Sequence, residues 1–257
     1  MTGIFDLHGK RGLVVGIANA ASIAHGCARS LVAAGAELAI TYLNDRAEPH
    51  VRPLAEALGS TLILPCDVRE AGAIERVFDR IARDWGTLDF LVHSIAFAPR
   101  EDLHARVVDS SAAGFTMAMD VSCHSFLRMA RLAEPLMPNG GCLLTVTFYG
   151  SERVVANYNL MGPVKAALES SVRYLAAELG AAGIRVHAIS PGPIATRAAS
   201  GIDRFDELLA RAASQSPQRH RVEVDDVGAL AAFLVSDGAR RITGTVIPVD
   251  GGQHVMA

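Results

Sequence analysis

The sequence predicts an α/β fold in which one parallel sheet carries helices on both of its faces. Short aliphatic and β-branched runs alternate with helix-length segments along all 257 residues. The runs are hydrophobic almost throughout, which is typical of strands that are covered on both sides. Their strict alternation with helices makes the sheet parallel. We therefore predict a doubly wound, seven-stranded Rossmann fold that fills a single domain, residues 1–257.

The predicted elements follow one another without a long linker. GLVVGI (12–17) is a buried strand, and the helix after it is expected to end at Gly35, because glycine commonly closes helices. Before the fourth strand, Ile74, Val77 and Ile81 recur at helical spacing. The strands are predicted at 12–17, 37–42, 62–66, 88–94, 142–148, 184–190 and 244–250. The helices are predicted at 22–35, near 46–58, at 70–85, as one long helix before the fifth strand, at 158–179 and at 224–236.

Composition argues against a nucleic-acid or membrane surface. The 24 Lys and Arg residues and the 27 Asp and Glu residues give a formal net charge of −3, and no basic block stands out. The longest apolar runs are strand-sized, well short of the ~20 residues of a membrane helix. The N-terminus lacks the long apolar region of a signal peptide. We expect a soluble protein of the cytoplasm.

The cysteines fit a reducing compartment. Cys27, Cys66, Cys123 and Cys142 form no CxxC pair, and each lies in an apolar neighbourhood. Buried free thiols are therefore predicted rather than disulfides or metal ligands. His25, His93 and His124 have no second ligand at metal spacing, so we expect no metal site.

A dinucleotide site is predicted after the first strand. In doubly wound folds, phosphates bind at the N-terminus of the first helix. GIANAASIAHG (16–26) occupies that place. Gly16 would allow a tight turn, Ser22 would cap the helix and, with the amide of Ile23, contact a pyrophosphate, and Gly26 would let helix and sheet approach closely. The segment departs from G-x-G-x-x-G, so a plain strand-to-helix turn is the alternative.

Two further positions bear on the cofactor. Asp67 and Val68, after the third strand, are placed to contact an adenine ring, although Asp67 could instead cap the next helix. After the second strand, a carboxylate would indicate NAD and an arginine a 2′-phosphate. Leu43 offers nothing to a phosphate, which favours NADH over NADPH, while Arg46 nearby leaves NADPH open.

Tyr158 and Lys165 are the candidate catalytic pair. On a helix their spacing of seven places them on one face, about 10 Å apart along the axis. Lys165 would reach back toward a ribose, and its ammonium would favour the phenolate form of Tyr158. Such a tyrosine is a better acid toward an oxyanion. The alternative is two exposed residues on a helix surface.

The spacing also bears on the reaction. In carbonyl reduction the protonated oxygen sits on the carbon that receives hydride. In reduction of an α,β-unsaturated thioester, charge collects on an oxygen three bonds from that carbon. An acid displaced further from the ribose-binding lysine suits the second geometry, and carbonyl reduction stays open.

Four segments together resemble a known family. They are GIANAASIAHG (16–26), HSIAFAP (93–99), YNLMGPVK (158–165) and SPGPIATRAASGI (190–202). They are similar to the enoyl-acyl-carrier-protein reductases of bacterial type II fatty-acid synthesis, a divergent branch of the short-chain dehydrogenase/reductases. The resemblance runs from about Gly9 to Gly252. It implies a homotetramer that uses NADH to reduce trans-2-enoyl chains on acyl carrier protein.

The resemblance also implies residue roles. Tyr158 would be the proton donor or oxyanion stabiliser, Lys165 would hold the nicotinamide ribose, and 195–212 would be a mobile flap over the substrate. The implied cofactor-binding residues are Gly16, Ser22, Ile23, Asp67, Val68, Ser94, Ile95, Lys165, Ile194 and Thr196. The implied walls of the acyl pocket are Ala96, Phe97, Phe148, Tyr158, Met161, Ile202, Phe205 and Leu208, with core packing as the alternative for Phe205 and Leu208.

One position departs from the family's pattern. Phe148 stands where the family usually has a second active-site tyrosine, and Tyr149 follows it. Successive strand residues face opposite sides, so Tyr149 is expected not to replace the missing hydroxyl.

Two rival functions stay open. One is a 3-oxoacyl thioester ketoreductase, which would require the pattern Y-x3-K, with a lysine at the position of Gly162. The other is a weakly active NAD-binding paralogue.

Overall fold

The computed structural model describes residues 5–197 and 199–256, and of Ser200 only the backbone. Within these residues, seven strands form one sheet in the order β3-β2-β1-β4-β5-β6-β7. Each neighbouring pair is parallel, which confirms the predicted architecture. The strands are β1 (Arg11–Val15), β2 (Glu37–Tyr42), β3 (Leu62–Pro65), β4 (Phe90–His93), β5 (Gly141–Val146), β6 (Ile184–Pro191) and β7 (Thr245–Val249).

Helices cover both faces of this sheet. Strand side chains alternate between the two faces: Leu13 and Leu91 pack with Phe126 on one, and Val14 packs with Leu234 on the other. The helices are α1 (Ile23–Ala33), α2 (Glu48–Ala57), α3 (Ala73–Asp84), α4 (Arg100–His104), α5 (Ala112–Met119), α6 (Ser125–Ala133), α7 (Met161–Leu179), α8 (Phe205–Gln215) and α9 (Val224–Val235). Among the described residues, no helix has the length and apolar character needed to cross a bilayer.

The predicted long helix before β5 is present: α5, a π-helical turn and α6 run on without a break over residues 112–133, and the short helix α4 precedes them. The chain breaks after α4 because the buried carboxylate of Asp102 accepts hydrogen bonds from the backbone N–H and the hydroxyl of Ser111, at 2.5 and 3.1 Å. Ser111 in turn caps α5 by accepting a bond from the Gly114 N–H at 2.9 Å. A π-helical turn, Asp120–His124, then joins α5 to α6. Such turns are frequent at functional sites.

The predicted helix start at Tyr158 is wrong. Asn157 and Asn159 have φ angles of +63° and +42°, in the left-handed region that an α-helix cannot contain. Their side-chain amides donate to distant carbonyls, Asn157 to Asp203 at 3.1 Å and Asn159 to Leu103 at 2.8 Å. Helix α7 therefore begins three residues after Tyr158.

At two positions the structure shows why the residue must be glycine. Gly16 has φ +111°, and a Cβ there would lie 2.1 Å from the Ser94 carbonyl oxygen, so the residue that follows β1 must lack a side chain. A Cβ at Gly26 would lie 2.3 Å from the Val224 carbonyl oxygen, at the start of α9. Gly26 thus allows two helices to approach, and the expectation of a helix–sheet approach is wrong.

Candidate active site

An open cavity lies at the carboxyl ends of β1, β4, β5 and β6. This is where doubly wound folds bind ligands, next to the point at which the strand order reverses. The structure brings most of the predicted site residues together there. Those that line the cavity are Gly16, Ser22, Ile23, Ser94, Ile95, Ala96, Phe97, Phe148, Tyr158, Met161, Lys165, Ile194, Thr196, Ile202 and Phe205.

Three predicted residues do not line this cavity. Val68 is buried in the core beside the sheet. Asp67 accepts bonds from the backbone N–H of Arg69, at 3.0 Å, and from its guanidinium, at 3.0 and 2.6 Å. The N-cap of α3 is Gly72, so the alternative that Asp67 caps this helix is wrong. Leu208 is partly buried against a cluster that includes Tyr158.

Sequence reasoning missed part of the lining. Leu103 comes from α4, which no motif marked, and it packs against the cluster around Tyr158. The remaining members could have been found from their positions inside the quoted motifs or directly at the end of β5. They are Ala18, Ala98, Val146, Thr147, Pro191, Gly192, Pro193, Arg197 and Ala199.

Ser22 occupies the N-cap position of α1 without capping the helix. Its hydroxyl oxygen instead accepts bonds from the backbone N–H groups of Ala18 and Asn19, both at 3.0 Å. The predicted side-chain cap is therefore wrong, because the oxygen folds back over the preceding loop. The Ser22 hydroxyl shapes that loop, and Ile23, the first residue of α1, lines the cavity.

Tyr158 is buried against an aromatic wall. Its ring lies 4.8 Å from that of Phe148, with the planes at 61°, an edge-to-face contact. Burial raises the pKa of the Tyr158 hydroxyl, and the Glu169 carboxylate adds to the shift. The expectation that the Lys165 ammonium lowers the pKa of Tyr158 is therefore wrong, whereas its expected role as a hydrogen-bond donor agrees with a hydroxyl that keeps its proton.

Lys165 is buried and lines the same cavity as Tyr158, so the alternative of two exposed surface residues is wrong as well. Its ammonium donates to the carbonyl of Val146, the last residue of β5, at 2.7 Å. Burial lowers the pKa of Lys165 to about 8, and the neighbouring Cys123 and Glu169 oppose this shift. The carbonyl holds the amine at the floor of the cavity, where it can also bind a ligand hydroxyl.

The rings of Phe148 and Tyr149 are in edge-to-face contact, with centroids 4.7 Å apart, but only Phe148 lines the cavity. Phe148 has extended backbone and lines the cavity, while Tyr149 begins a 3₁₀ turn, Tyr149–Ser151. The Tyr149 hydroxyl accepts a bond from the Gln253 amide at 3.4 Å, near the C-terminus. Tyr149 therefore does not supply the hydroxyl that Phe148 lacks.

The histidine and cysteine positions show structural roles. His93 lies fully buried within bonding distance of the Thr145 hydroxyl, at 3.0 Å, and of the Ser125 hydroxyl, at 2.8 Å. Burial lowers its pKa to about 3, so the ring is neutral. The four cysteines are buried and free, as predicted. The described ranges contain no group of three His, Cys, Asp or Glu side chains that could hold a metal.

The residues present fit a nicotinamide dinucleotide. Gly16 leaves the crevice between β1 and β4 free of a side chain, and Ile23 places the start of α1 at the same crevice. A helix start of this kind binds phosphate through its backbone N–H groups. Lys165 supplies a cation at the other end, beside the apolar wall formed by Phe148 and Tyr158.

The comparison that decides the family covers most of the chain. The pattern of the family described as Enoyl-(Acyl carrier protein) reductase matches residues 16–254. The chain belongs to this family. It is 47% identical over 251 residues to enoyl-[acyl-carrier-protein] reductase [NADH] 2 of Rhizobium meliloti, which spans 98% of this chain and 94% of that protein.

Solved structures of enoyl-acyl-carrier-protein reductases have the same fold. The enzyme of Anaplasma phagocytophilum in complex with NAD matches with a TM-score of 0.94 and 48% identity, over 99% of this chain and 97% of that chain. The Bacillus cereus enzyme, with NADP+ and an indole naphthyridinone, matches with a TM-score of 0.95 and 46% identity, over 98% and 99%. These similarities confirm the resemblance seen in the motifs.

Proposed function

We propose that this protein reduces trans-2-enoyl thioesters carried on acyl carrier protein, with NADH as the reductant, in fatty-acid elongation. The observation that carries the proposal is the convergence of a protonated tyrosine and a buried lysine in one cavity. This cavity lies at the cofactor-binding edge of a parallel sheet. The chain's relatives are named as NADH-dependent enoyl-acyl-carrier-protein reductases.

The roles of the two residues follow from their environments. Bound NADH supplies the hydride that reduces the double bond. Negative charge then collects on the thioester oxygen, where Tyr158 donates a hydrogen bond from a hydroxyl that burial keeps protonated. A fixed donor in a desolvated site stabilises an oxyanion strongly. Lys165, anchored by the Val146 carbonyl, is the residue that would hold the nicotinamide ribose.

The apolar side of the cavity suits an acyl chain. Phe97, Met161, Ile202 and Phe205 line it, and Phe148 closes the wall next to Tyr158. Apolar lining with few convergent polar groups is typical of sites for hydrophobic ligands. An acyl group of low polarity would therefore displace water from the site.

The segment 195–212 would act as the flap over the substrate; Ala198 within it lies outside the described residues. Two contacts connect its first half to the rest of the site. The His104 ring donates to the Gly201 carbonyl at 2.8 Å, and the Asn157 amide donates to the Asp203 carbonyl at 3.1 Å. Closure of such a segment excludes water from the reacting atoms.

Self-association as a homotetramer is part of the proposal. Val108, Phe115, Val154 and Tyr174 expose large apolar surface in the single chain, Val154 fully. Exposed apolar groups of this kind are common at subunit interfaces. Light scattering coupled to size-exclusion chromatography measures the oligomeric state, and a monomeric mass would contradict the proposed homotetramer.

We also propose that the protein works in the cytoplasm.

The geometry disfavours a ketoreductase. That activity would want a lysine four residues after Tyr158, where Gly162 stands. A Cβ at Gly162 would lie 3.1 Å from the Gly150 carbonyl oxygen, so a side chain there would need this turn to shift by a few tenths of an ångström. The weakly active NAD-binding paralogue is a second candidate, favoured by Phe148 alone.

One assay separates these functions. NADH absorbance is followed with a trans-2-enoyl thioester and, separately, with a 3-oxoacyl thioester, for the native protein and Tyr158→Phe. We expect oxidation with the enoyl substrate only, and its loss in the variant. Oxidation with the oxo substrate alone would support the ketoreductase. Saturable NADH binding without oxidation would support the paralogue.

A further inference from the structure

A buried carboxylate lies directly behind the candidate catalytic pair. Glu169 is on α7, one helical turn after Lys165, and only 4% of it is exposed. It does not line the cavity. A buried charge is costly unless hydrogen bonds compensate it. The group is therefore held there by specific partners.

Two hydroxyls supply that compensation. The Glu169 Oε1 atom accepts bonds from the hydroxyl of Thr147, at 2.6 Å, and from that of Ser151, at 2.5 Å. Distances this short are typical of a hydroxyl bonded to an ionised carboxylate. One oxygen thus binds two residues that are four positions apart in the chain.

These two residues flank the aromatic wall of the cavity. Between them lie Phe148, whose ring contacts Tyr158, and Gly150, which the Tyr158 ring also approaches closely. The backbone N–H of Thr147 donates to Ile189 on β6 at 2.8 Å, which fixes the start of the segment. The carboxylate therefore fastens both ends of the segment 147–151 to α7.

We infer that Glu169 is a positioning residue for enoyl reduction: its carboxylate holds the segment 147–151 against α7, which fixes the Phe148 ring and the Tyr158 hydroxyl. The inference rests on the proposed function. Glu169 acts through these groups and need not touch substrate or cofactor.

The charge of Glu169 gives this role a second consequence. Its carboxylate raises the pKa of both Tyr158 and Lys165, so it favours a protonated phenol and a charged ammonium. Lys165 is also faced by the Cys123 thiol from the π-helical turn, and by His93 of β4, which is neutral. Glu169 is thus the anionic group that supports the charge of Lys165.

The test compares Glu169→Gln with Glu178→Gln, the same substitution at an exposed site on the same helix. Glutamine keeps one acceptor oxygen and removes the charge. We expect Glu169→Gln to lower kcat with an enoyl thioester about 10-fold or more, as for loss of hydrogen bonds to a charged group. We also expect the pH above which NADH affinity declines to become lower, because Lys165 loses its anionic neighbour. Glu178→Gln should behave as the native protein.

A coupling experiment separates this role from plain loss of stability. Ser151→Ala removes one of the two donors. The double variant Ser151→Ala/Glu169→Gln should lose less kcat than the product of the two single losses, because both changes weaken the same hydrogen bond. If Glu169→Gln does not fold, kcat is measured for Ser151→Ala and Thr147→Val instead, since each removes one hydrogen bond to Glu169 and should lower kcat. Native kcat and an unchanged pH dependence in Glu169→Gln would overturn the inference.

The two levels of the proposal can fail separately. If the native protein does not oxidise NADH with enoyl thioesters, the proposed function fails. The positioning role is still decided by the pH dependence of NADH binding in Glu169→Gln, measured by fluorescence. An active native protein with additive effects of Ser151→Ala and Glu169→Gln would overturn the positioning role alone.

Discussion

Gly150→Ala would displace the Tyr158 ring without changing any titratable group. Gly150 lies in the 3₁₀ turn Tyr149–Ser151, where its φ is not positive, so alanine meets no backbone strain. Space is the only constraint. A Cβ at this position would lie 2.6 Å from Tyr158 Cδ1 and 3.0 Å from Cε1.

The magnitude follows from these distances. Carbon atoms in contact prefer a separation of about 3.5–4.0 Å, so the ring or the turn must move by about 1 Å. A displacement of about 1 Å at a reacting group can cost on the order of 100-fold in rate. We therefore expect Gly150→Ala to lower kcat by about this factor, while NADH affinity stays close to native because the cofactor-binding residues are elsewhere.

The assay is steady-state NADH oxidation with a trans-2-enoyl thioester, together with fluorescence titration of NADH binding. Gly180→Ala is the control, since Gly180 has helical backbone and no atom within 4 Å of an added Cβ. A Gly150→Ala protein with native kcat would refute the claim that the Tyr158 position limits the reaction. Equal losses in both variants would refute the claim that the contact with Tyr158 is the cause.

Three further predictions concern the same cavity. Phe148→Tyr should raise kcat several-fold by restoring a hydroxyl near the substrate oxygen; an unchanged kcat removes that explanation of the departure from the family. NADH affinity should decline as pH rises through about 8, because the Lys165 ammonium loses its proton there and charge-assisted bonds are the stronger ones. NADH affinity that stays constant as pH rises through about 8 would contradict the role of Lys165. The free energy of unfolding should change in the opposite sense: between about pH 8 and the ordinary pKa of lysine, the folded state binds fewer protons than the unfolded state, so this group makes stability rise with pH. Gly16→Ala should abolish NADH binding in calorimetry, because its Cβ would lie 2.1 Å from the Ser94 carbonyl oxygen at φ +111°; retained binding would show that the β1 turn can relax.

The pattern of hydrophobic runs predicted the sheet well for a simple physical reason. A strand buried on both faces must be apolar along its length, so the apolar runs at β1 and β5 could be recognised as strands from the sequence. The loops that follow such strands carry the ligand-binding residues, which is why the motifs around Gly16, Ser94 and Ile194 meet in one cavity.

Local spacing failed at Tyr158 because contacts from distant segments override it. Asn157 and Asn159 adopt left-handed conformations that carbonyls of Asp203 and Leu103 stabilise, and neither partner is near them in the chain. The helix cannot start until Met161. Tyr158 therefore lies in the turn before α7 and Lys165 lies within α7, and both line the cavity. The prediction that they share one face of a helix is wrong.

The electrostatics of the site show the same limit. From spacing alone, the Lys165 ammonium dominates the ionisation of Tyr158. In the folded chain, burial and the Glu169 carboxylate raise the pKa of this tyrosine, because desolvation depends on everything packed around the group. The hidden role of Glu169 has the same origin, since Thr147 and Ser151 come from another element.

By itself, the sequence determined the order of strands and helices, the edge of the sheet at which the cavity lies, and the identity of the candidate acid and cation. These depend on hydrophobicity and on short motifs, both of which act locally. Only the tertiary structure decided the protonation of Tyr158, the hydrogen-bond partners of the Tyr149 and Ser22 hydroxyls, and the anchoring of the segment 147–151. Each of these depends on contacts between residues far apart in the chain, and burial makes such contacts strong.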